Sequence, residues 1–354
     1  MPLSEPGWWY ADEPTLWARA LSPVARVWGV AAERRYRQGK AFRSPLPVIC
    51  IGNFTAGGTG KTPLAMYVAA ELARFGASPV FLTRGYGGRH PGPHWVQPDL
   101  DGADDVGDEP LLLARVAPTL VSRDREVGAR SIAAGEGKRR VIVMDDGLQN
   151  AALAKDLVLA VVDGRRGVGN GRIIPAGPLR APLAFQLGLA DAVIVNTPAH
   201  DGDPDAAAES PFAVWLRDHF GGPVLKATTR AAGDTSWLRD LPVVAFSGIG
   251  APQRFFGLLE RLGAKLVSRR TFADHHRFAD DEAKALLADA RAHGATLCTT
   301  EKDHVRLALA GGALGELRDA SRVLPIRLDF GERDAVRLAG LLEASLVARS
   351  APFA

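Results

Sequence analysis

The sequence predicts an α/β fold: a P-loop NTPase domain on a mostly parallel sheet, joined to a second, smaller α/β domain. Three observations predict it. Short apolar runs alternate with helical stretches, the pattern of a sheet covered on both faces. A glycine-rich loop stands between the first such run and a helix. A second alternation of strands and helices follows a change of composition near residues 228–240. With 354 residues the chain is long enough for two domains. We expect residues 1–230 to form the P-loop domain and 235–354 the smaller one, closing over the active site.

Composition narrows the class. Hydrophobic residues make up 47% and charged residues 23%, ordinary for a globular protein. The two cysteines, Cys50 and Cys298, lie in apolar runs and read as buried thiols in a reducing compartment. A net charge of +3 does not indicate nucleic acid. No apolar run reaches the ~18 residues of a transmembrane helix. Glu5, Asp12 and Glu13 stand where a signal peptide would need a basic, then apolar, segment. The expected location is the cytosol or its membrane face.

The opening stretch carries Trp8, Trp9 and Trp17. Ser22-Pro23 reads as a helix start, with Ser as cap and Pro in the first turn. Val24, Val27, Trp28 and Ala31 then recur on one face, and Arg34, Arg35, Arg37, Lys40 and Arg43 follow. Such a helix either packs on its own domain or lies in a membrane interface. These residues alone leave both open.

Strands are expected at 47–51, 79–83, 141–144, 157–162 and 193–195, with helices at 62–75 and from Leu111 to Val116. Residues 84–108, rich in Gly, Pro and Asp, read as a long loop of the kind that carries function. Residues 199–212 read as another loop. In the second half, strands are expected at 243–246, 265–267, 296–299 and 323–327, and helices at 253–262, 280–293 and 333–347.

The strongest motif is Thr55-Ala56-Gly57-Gly58-Thr59-Gly60-Lys61-Thr62, after a strand and opening a helix. Its glycines let successive backbone N–H groups turn toward phosphate oxygens, and the helix N-terminus adds a favourable dipole. Lys61 can reach the β- and γ-phosphates, and the Thr62 hydroxyl can ligate Mg²⁺. Thr55 stands where the general pattern has Gly. The run Val141-Ile142-Val143-Met144-Asp145-Asp146 reads as a buried strand bringing a carboxylate to the metal edge. Asp145 matches better; Asp146 can share or replace it. The guanine-reading N-K-x-D is absent: Asn196 is followed by Thr197-Pro198-Ala199. ATP is therefore the expected nucleotide. A metal-delivery switch ATPase would show clusters such as C-x-C, and there are none.

A set of motifs, in order, now resembles one family. They are Val48 to Thr55 running on through Lys61-Thr62-Pro63, Thr83-Arg84-Gly85-Tyr86-Gly87, Gly107-Asp108-Glu109-Pro110, and Asp145-Asp146-Gly147-Leu148-Gln149. Gly169-Asn170-Gly171, Pro175-Ala176-Gly177-Pro178-Leu179-Arg180, Asp274-His275-His276 and Thr300-Glu301-Lys302-Asp303 follow. Together they resemble the tetraacyldisaccharide 4′-kinases, the lipid A 4′-kinases, over about residues 8–330. Thr55 is what that family shows. Two departures stand out: Asn150 where the family usually has His, and Ala181 where an acidic residue is common.

The resemblance implies transfer of the γ-phosphoryl group of ATP, with Mg²⁺, to the 4′-hydroxyl of a tetraacyldisaccharide 1-phosphate. The partners it implies are that lipid and the inner-membrane surface, bound peripherally on the cytoplasmic face, with no nucleic acid and no obligate protein partner. It favours the membrane reading of the first helix. It implies Asp108 as base, paired with His275 or, failing that, His276. It places Glu109 beside the metal with Thr62, Asp145 and Asp146. Arg84, Asn170 and Arg180 are expected at the substrate.

Overall fold

A computed structural model of the chain describes residues 5–11, 13, 15–198 and 211–350. Most of the loop expected at 199–212 thus lies outside the described residues. The first part runs α1 (Leu16–Gln38), β1 (Val48–Asn53), α2 (Lys61–Arg74), β2 (Ser78–Thr83), β3 (His94–Trp95), α3 (Ala103–Val106), α4 (Asp108–Ala114), β4 (Thr119–Val121), α5 (Arg125–Ala134) and β5 (Arg140–Asp145). Then come β6 (Leu157–Asp163), α6 (Leu183–Leu187), β7 (Ala192–Pro198), α7 (Pro211–His219) and β8 (Val224–Ala231). The second part holds β9 (Pro242–Ser247), α8 (Pro252–Arg261), β10 (Lys265–Thr271), α9 (Asp280–His293), β11 (Thr296–Thr300), α10 (Glu301–Val305), α11 (Gly312–Ala320), β12 (Ser321–Leu324), β13 (Ile326–Phe330) and α12 (Glu332–Ser350).

A nine-stranded sheet has the order β13-β8-β7-β6-β1-β5-β2-β4-β3, parallel except for its two edge strands. Side-chain alternation along β1 explains its burial. Ile49 and Ile51 face a core with Leu64, Val68 and Leu72 of α2. Val48 and Cys50 face the opposite core, with Ile132 of α5 and Leu216 of α7. Chain order reverses at β1, which pairs with β5 on one side and β6 on the other. In open α/β sheets a ligand crevice forms at such a switch point. The P-loop follows β1 there, and Asp145 ends β5 beside it. Cys50 and Cys298 are buried free thiols.

A second, four-stranded parallel sheet, β10-β9-β11-β12, forms the smaller α/β unit. Two expectations are corrected here. The strand expected at 323–327 is two strands in different sheets. Pro325 separates them; it cannot donate to a ladder, and the chain changes sheet at it. The expected division at 230/235 also fails at its far end. β13 pairs antiparallel with β8 of the large sheet, and Leu338 and Leu342 of α12 pack in the α2-side core. The smaller unit is thus an insertion whose both ends return to the large sheet.

The first helix also begins earlier than expected. Thr15 caps it by accepting from Ala18 N at 3.3 Å. Pro23 lies inside the helix, and the Ser22 hydroxyl donates to Ala18 O at 2.6 Å. Its fully buried residues are small, Ala18, Ala25 and Gly29, and the half-buried Tyr36 near its end packs edge-on against Phe185. A Cβ on Gly29 would come 2.5 Å from Cδ1 of Ile173, so a larger residue there would make the Ile173 side chain shift. Leu16, Trp17, Val24, Val27, Trp28 and Val30 point outward, each more than half exposed.

Candidate active site

The P-loop folds as its glycines predict. Gly57 and Gly60 have φ of +94° and +102°, conformations that side chains disfavour. Neighbouring strand ends hold the loop. Asn53 Nδ2 donates to Thr59 Oγ1 at 3.1 Å, and Asn196 Nδ2 donates to Thr59 O at 3.0 Å. Ala56 N donates to Pro178 O at 2.8 Å. Thr55, Thr59 and Thr62 are buried, and Gly58 is exposed. Lys61 opens α2, with Nζ 3.8 Å from Oδ1 of Asp146.

The two carboxylates after β5 differ. Asp146, at φ +50°, accepts from Arg180 Nη1 at 2.9 and 3.1 Å. Burial opposes its charge, but Lys61 and Arg180 prevail and hold its carboxyl below the ordinary range. Asp145 is buried, and neither of its oxygens has a hydrogen-bond partner among the described residues. Burial, then the charges of Glu109 and Asp146, push its carboxyl up to about 7. Two buried, unsatisfied carboxylate oxygens are costly unless a cation is to share them. Of the expected metal residues, Asp145 therefore fits a divalent cation best, with Thr62 beside it on the P-loop. Glu109 is already committed: Lys302 Nζ donates to its Oε1 at 2.7 Å, and Lys302 chiefly keeps it ionised.

Asp108 is the first residue of α4 rather than a loop residue before it. Its Oδ1 accepts from Glu109 N at 2.9 Å and its Oδ2 lies 3.0 Å from His275 Nδ1. Of the two expected histidines His275 makes this contact, and His276 instead contacts Oε2 of Glu282 at 2.8 Å. His275 sits at φ +57°, an uncommon backbone for a non-glycine residue. The Tyr86 ring stands edge-on to it, 5.3 Å away. Burial opposes ionisation of Asp108, but His275, Lys302 and Arg306 outweigh it and hold its carboxyl low. The Asp108 bond raises the His275 imidazole above its usual 6.5.

The expected substrate residues separate. Arg84 is exposed at the end of β2. Arg180 sits at the P-loop, donating from Nε to Thr55 O at 3.2 Å as well as to Asp146. The Asn170 side chain is engaged locally. Its Nδ2 donates to Ala176 O at 3.0 Å and its Oδ1 accepts from Arg172 N at 3.1 Å, closing its own turn. Of the two departures, Ala181 is buried, and Asn150 accepts from Ala152 N at 3.0 Å.

Sequence reading missed Arg306, which donates to Asp108 from Nε at 3.1 Å and also from Nη2. It assigned Lys302 no role, although Lys302 lay in a quoted motif. A lone arginine three residues past the last motif carries no periodicity or spacing signal. Only the packing of α10 on α4, through Val305, Leu111 and Leu112, brings it in.

The model of the family described as Tetraacyldisaccharide-1-P 4′-kinase matches residues 17–345. The chain belongs to this family. A relative named Tetraacyldisaccharide 4′-kinase from Methylobacterium sp. (strain 4-46) is 47% identical over 351 residues, 99% of this chain and all of that one. Another of that name, from Rhodopseudomonas palustris (strain BisB18), is 48% identical over 307 residues, 86% of each chain. The crystal structure of "apo" form LpxK from Aquifex aeolicus in complex with ATP shares the fold, with a TM-score of 0.70 at 24% identity. It covers 93% of this chain, which spans 99% of it. The expected kinase class and the α/β P-loop fold are met. No described helix is long and apolar enough to cross a membrane.

Proposed function

We propose that this chain transfers the γ-phosphoryl group of ATP to the 4′-hydroxyl of a tetraacyldisaccharide 1-phosphate at a membrane surface. The observation that carries the chemistry is the contact of Asp108 with His275, beside the P-loop. Phosphoryl transfer needs positioning, charge neutralisation and a base for the attacking hydroxyl. The P-loop amides and Lys61 hold the nucleotide phosphates, and Arg180 sits where the same charge develops. Asp145 and Thr62 would hold Mg²⁺, which when bound neutralises phosphate charge. The hydroxyl gives its proton to the Asp108–His275 pair. Asp108 is only 3% exposed and bonded at both oxygens, whereas the His275 side chain is 26% exposed. The proton therefore enters at His275, and Asp108 fixes its tautomer and stabilises its charge. Arg84, exposed at the rim, is the cation offered to the lipid phosphate.

The first helix is the membrane contact. It turns small residues inward and tryptophans and valines outward, the reverse of a surface helix that packs by its apolar face. Arg34, Arg35 and Arg37 continue it with positive charge suited to an anionic headgroup layer. The surface in question is the cytoplasmic face of the inner membrane. The smaller unit lends His275 and Lys302 to the site, so its seating on the P-loop unit changes with nucleotide.

The test is label transfer from γ-labelled ATP to tetraacyldisaccharide 1-phosphate in detergent micelles with Mg²⁺. Labelled lipid in the wild type is expected, with losses of about 10²–10³ in Lys61→Ala and in His275→Ala. ATP hydrolysis without labelled lipid refutes the proposal.

A further inference from the structure

Arg306 follows α10 as its capping residue, and its side chain is only 6% exposed. All three nitrogens of its planar fork donate. Nε, at 3.1 Å, and Nη2 both reach Oδ2 of Asp108. Nη1 donates to Gly248 O and to Oδ1 of Asp303, both at 2.7 Å. Asp303 is itself pinned by Gly248 N at 2.9 Å, Ser247 Oγ at 3.1 Å and Thr300 Oγ1 at 2.6 Å. The guanidinium is therefore held at Nη1 by two acceptors, one of them a carboxylate fixed by three bonds of its own, before it meets Asp108.

Two relations connect this anchor to the base. The carboxylate oxygen that Arg306 grips is the one His275 Nδ1 contacts. The carbonyl of Gly248, which accepts from Arg306, also accepts from His275 N at 3.2 Å. One arginine thus orders the side chain of Asp108 and the backbone turn that presents His275. Stability alone is a weak reason for such an arrangement, because buried ion pairs repay little of their desolvation. Angular control of a carboxylate is what a guanidinium fork supplies and an ammonium does not.

We propose that Arg306 is a positioning residue for phosphoryl transfer, clamping Asp108 from the smaller unit so that His275 meets the acceptor hydroxyl in register. This rests on the reading of Asp108 and His275 as the base. A misplacement of about 1 Å at a reacting group costs on the order of 10²-fold in rate, so the clamp acts on kcat rather than on ground-state binding.

The experiment uses the full chain in micelles with ATP and tetraacyldisaccharide 1-phosphate. It compares Arg306→Gln, Arg306→Lys, His275→Asn and the double variant R306Q/H275N by kcat, both KM values and thermal melting. Arg306→Gln is expected to lose about 10²-fold in kcat, with the KM for ATP within about threefold of wild type. Arg306→Lys, which keeps the charge and loses the fork, is expected about tenfold below wild type. On the His275→Asn background, Arg306→Gln is expected to cost less than about threefold more, since both act on one step. Wild-type kcat in Arg306→Gln, or losses that multiply in the double variant, overturns the clamp. Where Arg306→Gln fails to fold, a folded Arg306→Lys at wild-type kcat overturns it. A His275→Asn enzyme at wild-type rate refutes instead the reading of the base on which the clamp depends.

Discussion

Nζ of Lys302 lies 2.7 Å from Oε1 of Glu109, tying the first turn of α10 to the first turn of α4. The pair crosses from the smaller unit to the P-loop unit. Both side chains are mostly covered, at 29% and 21% exposure. Removing one partner leaves a poorly solvated charge.

Lys302→Ala is therefore expected to destabilise the fold by about 1–3 kcal/mol. Glu109→Gln in the same chain should return part of that loss. Denaturant melts of the two single variants and the double give the coupling. Additive losses would mean that the contact contributes nothing.

The Asp108–His275 contact predicts an acid limb in the rate. His275 accepts a proton only when neutral, and Asp108 raises its pKa above 6.5. Activity should fall as pH drops through a value above 6.5 and hold above it. The same pair contributes stability that is full below pH 6.5 and is lost as pH rises through the raised value. His275→Asn should abolish the limb in the pH profile of the residual rate. An unchanged limb in that variant would assign the titration to another group.

Asp145 predicts a conflict between stability and activity. Its carboxyl is raised from 3.8 to about 7, so the folded state loses stability as pH climbs from 3.8 toward 7. Asp145→Asn removes that loss. Near pH 7 and without divalent metal, the variant should melt higher, by a gain of about 1–3 kcal/mol. It should also lose Mg²⁺-dependent transfer. A lower melting temperature would show that the buried oxygens are satisfied in solution.

The outward tryptophans of α1 predict membrane affinity separable from catalysis. Trp17→Ala and Trp28→Ala together should weaken binding to anionic vesicles by at least about tenfold, since each burial contributes ~1.5–3 kcal/mol. Their kcat on micellar substrate should stay near wild type. Cosedimentation with vesicles and the micelle assay separate the two effects. Undiminished vesicle binding would move the contact elsewhere.

Local signals carried much of this protein. Val48 to Thr62 announced strand, phosphate cradle and helix, because tight backbone turns demand glycine within a few residues. The apolar run ending in Asp145 announced a buried strand for the same local reason. The motifs carrying Asp108 and His275 marked both residues, 167 positions apart. What spans distance was not legible. β4 is three residues long and β8 runs into the stretch where composition suggested a linker, and pairing in the large sheet makes both regular. Thr15 outcompeted Ser22-Pro23 as the cap of α1. Asn170 was marked only by a motif of the resemblance, and that its side-chain hydrogen bonds close a turn could not be read there. Arg306 had no sequence mark at all. Propensity and turn chemistry act over a few residues and can be read there. Which charge meets which across two sheets depends on packing between elements far apart in the chain, and only the tertiary structure decides it.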